Sequence, residues 1–326
     1  MNARLMTLLK AGISILLILL LFLRVDAGEV WRALRETSLS LLILAMLLYV
    51  GAIATNAIKW GVLLHAQGIR APLSSLLRHT FVGVFFSNFL PFVGADMIRG
   101  YGLVREMSNP ADVAISVIVD RIVGLLAFTS AGTLAAAVAV RVQGLNDPAL
   151  LFIERAGILM TTGLALGFLL TLSGRLRRMV ERLVARVPRL APLVPLVAKL
   201  SAAVGAYRSR PAALALAYGV GLTTILLSNV VNLLLFESIG TFVQPFAVFV
   251  FNPIIGLTMA LPISISGIGV NQHIFPALYG LVAVRENAAV AASLLLQLTI
   301  AVTSLPGGFI WAAGRSHIPQ PEGVIR

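Results

Sequence analysis

The stretch "LPFVGADMIRG", residues 90–100, interrupts an apolar run with a proline and a glycine and then places two charges within one helical turn. Asp96 and Arg99 are three residues apart, so on a helix they share a face and can touch. The sequence on both sides is apolar. A helix break carrying charges in such surroundings indicates a membrane protein whose broken segment is buried in protein or lines a wet cavity.

The composition of the whole chain agrees with this interpretation. It has 326 residues, of which 59% are hydrophobic and 12% charged, with a mean hydropathy of +0.96. A soluble domain carries about 25% charged residues. The strands of a membrane barrel would alternate apolar and polar residues, whereas these segments are continuously apolar. The sequence therefore predicts an all-α polytopic membrane protein.

Several classes of protein are disfavoured by what the sequence lacks. There are no cysteines, and the four histidines are scattered, so we expect no disulfide, no thiolate nucleophile, no metal site and no cofactor. No GxxxxGK[ST] motif for ATP occurs. The net charge of +12 does not indicate nucleic-acid binding, because the cytoplasmic loops of membrane proteins collect Lys and Arg.

The lengths of the apolar segments predict about six full transmembrane helices and two broken, re-entrant helical hairpins. The hairpins fall near 76–104 and 244–284, where each apolar piece is shorter than the ~20 residues needed to cross. We expect the breaks at Pro91, Gly94 and Pro262. The full spans are predicted at 7–23, which we interpret as an uncleaved first helix, and at 39–58, 113–140, 150–172, 212–236 and 288–310.

The distribution of Lys and Arg predicts the topology. If both hairpins return to the side from which they enter, one face of the membrane carries 18 of these residues and the other carries 6. A single crossing by 76–104 would reduce this bias. The positive-inside rule therefore favours re-entrant hairpins, with both termini cytoplasmic, in a bacterial inner membrane.

The chain divides into two membrane halves, 1–173 and 211–315, followed by a short tail at 316–326. The segment between the halves, 174–210, is either a solvated basic loop or an amphipathic helix whose arginines contact anionic lipid headgroups. Each half has a Phe-rich run with an asparagine before its break. The two breaks are entered from opposite sides, which suggests an inverted repeat with a substrate site at the broken helices.

Ionisable residues in a span each cost about 2.5–3.5 kcal/mol on insertion scales. The first half of the chain contains four such residues close together, namely Asp96, Arg99, Asp120 and Arg121. We expect Asp120 to contact Arg99 or Arg121, because an unpaired buried carboxylate is costly. Either the four groups neutralise one another and fix helix packing, or an arginine is left partly free for an anionic ligand such as a phosphate. Asp96 is also a candidate N-cap for the half-helix after Gly94.

Further candidates for substrate binding lie at both breaks. Glycines allow the backbone to approach a ligand closely, and amides supply hydrogen bonds. A buried asparagine is more often a contact between helices than a ligand. These candidates are Asn88 at the first break and Gly267, Gly269, Asn271 and Gln272 at the second.

Three stretches together resemble a known family. They are "FFSNFLPFVGADMIRGYGLVRE" (85–106), "ADVAISVIVDRIVGLLAF" (111–128) and "LPISISGIGVNQHIFPALYGLVAV" (261–284). In this order they are similar to the transmembrane region of lysylphosphatidylglycerol synthases, a flippase-like family that also has stand-alone members. The resemblance implies lipid translocation. The family often has Arg-Glu where Asn271-Gln272 stands here, which implies a different headgroup. The residues that match its motifs are Pro91, Gly94, Asp96, Arg99, Asp120, Arg121, Pro262, Gly267 and Gly269.

The function that we predict is therefore translocation of an anionic amphipathic lipid, either a phospholipid or a lipid linked to polyprenyl phosphate. We do not expect an enzyme. Two alternatives remain: a membrane-embedded enzyme that modifies a lipid phosphate, and a non-catalytic partner of a lipid-modifying enzyme. The first would need a base and metal-binding carboxylates, for which Asp96 and Asp120 without a nearby histidine form a small set.

Overall fold

The structure of the protein is a computed structural model, which describes residues 26–90, 92–107, 110–142, 144, 148–174, 179, 204–260 and 267–315. The predicted first span at 7–23, the prolines Pro91 and Pro262, most of the 174–210 segment and the tail at 316–326 lie outside these residues. The division of the chain into four segments stays a prediction.

Every regular element in the described residues is helical. We number the α-helices in chain order, and one 3₁₀ turn, Gly280–Val282, follows α9. The helices are α1 (Ala27–Arg35), α2 (Leu39–Ala66), α3 (Leu73–Ser87), α4 (Phe92–Glu106), α5 (Pro110–Arg141), α6 (Pro148–Leu172), α7 (Pro211–Ser238), α8 (Pro245–Ala260), α9 (Val270–Tyr279) and α10 (Glu286–Arg315).

Five of the described helices are long and apolar enough to cross a membrane, namely α2, α5, α6, α7 and α10. They correspond to five of the six predicted spans, and the sixth lies outside the described residues. The all-α polytopic membrane fold is thereby confirmed. One boundary differs from prediction: α2 continues to Ala66 instead of ending near residue 58. Lys59 is consequently inside this helix and buried, although the sequence suggested a position at the membrane surface.

Two antiparallel helices, α2 and α7, pack against each other along their length. The backbone N–H of Ser38, before α2, donates to the carbonyl of Ser238 at the end of α7 over 2.7 Å. Midway, the hydroxyls of Thr55 and Thr224 lie 2.9 Å apart. At the other end, Arg210 Nη1 donates to the His65 carbonyl over 3.4 Å. Each half of the chain therefore contributes one helix to a seam that runs the length of the bundle.

Each half continues from this seam with a short hairpin and then a long helix. Side-chain contacts join the two ends of the α3–α4 hairpin that lie away from its turn. There, Glu106, the last residue of α4, is contacted by three residues of α3, namely Ser75, Arg78 and His79. The start of α3 and the end of α4 thus lie side by side. In the second half, Tyr279 at the end of α9 packs edge-on against Phe251 of α8, with ring centroids 5.3 Å apart.

The hairpin of each half packs against the long helix that follows the hairpin of the other half. A Cβ added at Gly307 of α10 would overlap the backbone of α3 at Phe81, so only glycine permits this approach. Reciprocally, a Cβ at Gly132 of α5 would overlap the Pro253 ring of α8. The helix, hairpin and helix of the two halves are therefore interlocked, in the arrangement expected of an inverted repeat.

The first break is placed differently from the prediction. Helix α3 ends at Ser87 and α4 begins at Phe92, so Gly94 lies within the first turn of α4. Asp96 is accordingly the fifth residue of the helix, too far along to cap its first free N–H groups. The prediction of Asp96 as an N-cap is wrong, because the helix begins directly after Pro91. The carboxylate of Asp96 instead contacts a side chain of another helix, Arg121.

A charged network beside a central cavity

The four predicted charged residues form two ion pairs between α4 and α5. Arg99 Nη2 lies 2.9 Å from Asp120 Oδ2, and Arg121 donates to both carboxylate oxygens of Asp96, from Nη2 to Oδ1 over 2.7 Å. Arg99 Nη2 is also 3.6 Å from Asp96 Oδ1, which joins the two pairs. The prediction that Asp120 contacts Arg99 or Arg121 is confirmed, and the partner is Arg99.

Lys59 is a fifth member of this network, and it comes from a third helix. Its ammonium lies 3.3 Å from Asp120 Oδ1, and its side chain is 7% exposed. Asp120 is therefore held between two cations, one on each carboxylate oxygen. Asp120 is the eleventh residue of α5, so at 1.5 Å per residue it lies about 15 Å from the helix start.

The position of Arg99 is fixed by its contacts with α2 and α3. Its guanidinium lies over the fully buried Trp60 ring, 4.4 Å from the centroid, which is a favourable cation–π geometry. The Trp60 indole N–H donates to Ser116 Oγ over 3.0 Å, which fixes the ring. A Cβ added at Gly83 would lie 3.2 Å from Arg99 Cβ, so this glycine lets α3 approach the arginine closely.

The network borders a cavity of about 190 Å³ at the junction of α2, α3, α4, α5 and α7. Asp96, Arg99 and Arg121 lie in its wall. The rest of the wall mixes small apolar side chains with hydroxyls and an amide. The polar wall residues outside the network are Tyr49, Asn56, Thr80, Ser87, Thr224 and Ser228.

Two residues of this wall have buried polar atoms without a hydrogen-bond partner in the described part of the chain. They are Arg99, through Nε, and Thr80, through Oγ1. Unpaired buried donors are rare in folded proteins, because each costs about 1–3 kcal/mol. A guanidinium with an unused donor and a free hydroxyl beside a cavity form a pair of groups that a phosphate oxygen can satisfy.

The network carries a surplus of positive charge. Lys59, Arg99 and Arg121 contribute three positive charges, whereas Asp96 and Asp120 contribute two negative ones. The described side chains of the network thus sum to +1. The four residues considered from the sequence would together be neutral, and Lys59 adds the third positive charge.

The residues predicted around the second break do not line this cavity. Gly267 and Gly269 have positive φ angles of 73° and 84°, which favour glycine, and they form the turn before α9. Gln272 Oε1 accepts from the Gly269 N–H over 2.7 Å and so caps α9. Asn271 is buried, and within the described residues its Oδ1 has no hydrogen-bond partner. The turn geometry and the cap are structural, and ligand contacts by these residues stay a prediction.

Asn88 is a contact between helices. As the residue that ends α3, it donates to Ser304 Oγ of α10 over 2.9 Å and to two carbonyls of its own helix. Its neighbour Ser87 lines the cavity, whereas Asn88 is not among the wall residues. In the second half, Asn252 similarly donates to Asn229, which joins α8 to α7. These asparagines support packing, the alternative that the sequence left open.

Sequence reasoning missed three residues at the site, namely Lys59, Trp60 and Thr80. The dipeptide Lys59-Trp60 resembles the interfacial Lys and Trp that flank a span, and this resemblance hid its burial. The available signal was length: the residues from Gly61 to Leu64 continue the apolar run past Trp60, so the charge lies inside the helix. Thr80 gave no signal, because a single threonine in an apolar helix is common.

Comparison with known proteins identifies the family of the chain. The sequence matches the family described as "Lysylphosphatidylglycerol synthase TM region" over residues 7–307, which includes both hairpins. No curated protein shows significant similarity to the chain. Because the match covers most of the sequence, the chain belongs to the family of lysylphosphatidylglycerol synthase transmembrane regions, multi-pass membrane proteins of lipid metabolism or transport.

Proposed function

We propose that this protein translocates an anionic lipid across the membrane, and that the lipid phosphate binds in the central cavity at Arg99 and Arg121. The observation that carries the proposal is the surplus charge of +1 in a network bordering the cavity. A bound phosphodiester, with one negative charge, would bring the described site to neutrality. Neutralisation matters at this depth, because an uncompensated charge in the bilayer core is costly.

The geometry of the arginines suits a phosphate. Arg99 keeps one guanidinium nitrogen on Asp120 and has a second, Nε, without a partner in the described residues. Thr80 offers its hydroxyl from the facing helix. A planar guanidinium can therefore donate to the ligand while its carboxylate partner holds it in place. The lipid tails would remain in the surrounding bilayer.

The alternative of a lipid-modifying enzyme is less well supported by the same geometry. A general base needs a carboxylate free to accept a proton, and metal catalysis needs carboxylate oxygens free to bind the ion. Here Asp96 accepts from Arg121, and Asp120 is shared between Arg99 and Lys59. Both carboxylates of the site serve to hold cations, which favours binding and transport over catalysis.

Further parts of the proposal rest on the sequence. We place the protein in a bacterial inner membrane with both termini cytoplasmic, because this orientation gives the larger positive-inside bias. The basic segment at 174–210 would then contact anionic headgroups of the cytoplasmic leaflet. A lipid-modifying enzyme is the expected partner, since it would supply or consume the transported lipid.

The proposal can be tested by lipid exchange between leaflets in vesicles. Purified protein is reconstituted with a trace of lipid labelled on its headgroup, and a membrane-impermeant quencher reports the fraction in the outer leaflet. We expect labelled phosphatidylglycerol to exchange much faster than in protein-free vesicles. Arg99→Lys keeps the charge and loses the planar donor fork, so it should slow exchange, and Arg99→Ala should slow it further.

The matched control is Arg105→Ala, which removes an arginine of the same helix that stacks on Tyr101 and lies outside the cavity wall. This variant should exchange lipid at the wild-type rate. If wild-type protein moves no lipid under any applied ion gradient or membrane potential, translocation is the wrong function. If a folded Arg99→Ala variant matches the wild type, the arginine is structural.

A further inference from the structure

A second and larger cavity lies at the Arg70 end of the helix bundle. It has a volume of about 590 Å³ and opens between the end of α2, the start of α3 and the start of α7. Its size is within the range of about 300–1,000 Å³ that is typical of ligand sites. We call this cavity the Arg70 groove.

Two kinds of residue line the groove. Its walls are apolar and include Ile58, Leu73 and Leu216, whose side chains are 42%, 50% and 58% exposed. Two exposed arginines, Arg70 and Arg210, contribute the charged part of the lining. No acidic residue lines the groove in the described part of the chain. An apolar trough with two unopposed cations is complementary to an amphipathic anion.

From this arrangement we propose that the Arg70 groove binds one anionic phospholipid of the adjacent leaflet. An acyl chain lies against the apolar walls, and the phosphate is bound by Arg70 and Arg210. Arg210 is already positioned by its Nη1 contact with the His65 carbonyl at 3.4 Å, and its guanidinium has further donors. This binding does not depend on translocation through the central cavity.

The charge of the chain itself favours a lipid over an intramolecular occupant. The nearest candidate is the basic segment, of which residues 175–203 carry seven Arg and Lys against one Glu. Such a segment would be repelled by the two arginines of the groove, whereas anionic lipid would be attracted. A free phosphate would satisfy the arginines and leave the exposed apolar walls uncovered.

The groove and the central cavity share the same three helices. Residues of α2, α3 and α7 line both, with Ile58, Leu76 and Leu216 in the groove and Ile53, Thr80 and Thr224 in the cavity. Lys59 of the charged network directly follows Ile58 on α2. A lipid held in the groove is therefore bound at the end of the seam that leads to the charged network.

The test is photo-crosslinking at the groove in the full-length protein. p-Benzoylphenylalanine replaces Leu216, and the protein is reconstituted in phosphatidylcholine vesicles with a minor fraction of phosphatidylglycerol. Mass spectrometry then identifies the crosslinked lipid. We expect phosphatidylglycerol adducts well above its fraction in the bilayer. Arg70→Gln and Arg210→Gln should each lower that enrichment about fivefold, the effect of one basic residue near an anionic surface.

Control variants make the outcome specific. The same photoprobe at Leu226, an exposed residue of α7 outside the groove, should give adducts in the proportion of the bulk lipids. Arg208→Gln removes a neighbouring exposed arginine that does not line the groove and should change nothing. Arg99→Ala should leave the groove adduct unchanged, which separates this site from the central one.

Three results would overturn the proposal. The first is a wild-type adduct at Leu216 that matches the bulk lipid composition. The second is enrichment that survives loss of both arginines. The third is a crosslink from Leu216 to residues 175–203 in place of lipid, which would identify the basic segment as the occupant. If the wild-type protein exchanges no lipid between leaflets and none of these three results is found, translocation is refuted and the groove remains a lipid site.

Discussion

Replacing Asp120 by asparagine tests whether the charged network holds the bundle together. Asp120 is 3% exposed and contacts Arg99 at 2.9 Å and Lys59 at 3.3 Å. At an effective dielectric constant of about 20, each contact corresponds to an attraction of about 5–6 kcal/mol, most of which offsets desolvation. Removing one partner of a buried pair costs about 3–5 kcal/mol, because the remaining charge is left uncompensated. Asp120→Asn leaves two cations facing a neutral amide.

Lys59→Met in the Asp120→Asn background removes one of these cations and should recover part of the loss. We expect a coupling energy of at least ~2 kcal/mol in a double-mutant cycle. The assay is unfolding of the purified protein in mixed micelles, followed by circular dichroism. Glu154→Gln is the matched control, because its partner Arg141 is 69% exposed and can be solvated. If Asp120→Asn unfolds like the wild type, or if the two changes are additive, the network does not stabilise the fold.

Three further predictions concern topology and packing. Cysteines at Ser108 and Asn146, in a chain without native cysteines, should react with impermeant reagents from opposite sides, and labelling from one side would contradict the topology. Gly307→Ala should lower the unfolding free energy by about 1–3 kcal/mol because its Cβ overlaps the backbone of α3, whereas Gly163→Ala, with open space around it, should not. Asn88→Ala should cost about 0.6–1.7 kcal/mol for its lost contact with α10, and equal unfolding midpoints would refute that role.

The hairpins and ion pairs could be predicted from sequence, because unpaired backbone groups and unpaired carboxylates are each costly inside a membrane. Pieces too short to cross a bilayer, separated by Pro and Gly, leave few arrangements that satisfy the backbone. A buried Asp120 needs a cation, and the sequence offered two candidates. Choosing Arg99 over Arg121 required the rotation of α5 relative to α4, which no local rule gives.

The start of α4 could have been predicted from Pro91. Pro91 directly precedes the first helical residue, Phe92, and proline at a helix start is common because its missing N–H would be unpaired there. Taking Gly94 as the break placed the predicted helix start at least three residues too late and made Asp96 a cap. The +1 surplus was missed for a different reason: the burial of Lys59 depends on α5 and α7, which are remote in sequence.

The central claim is that a lipid phosphate binds at Arg99 within the bundle, and an experimental structure tests it most directly. The protein in nanodiscs containing phosphatidylglycerol, with a bound antibody fragment, is suitable for electron cryomicroscopy. We expect phosphate density in the central cavity, within hydrogen-bond distance of Arg99 and Thr80. A cavity filled only by water or side chains, in a map that resolves lipid elsewhere on the protein, would contradict it.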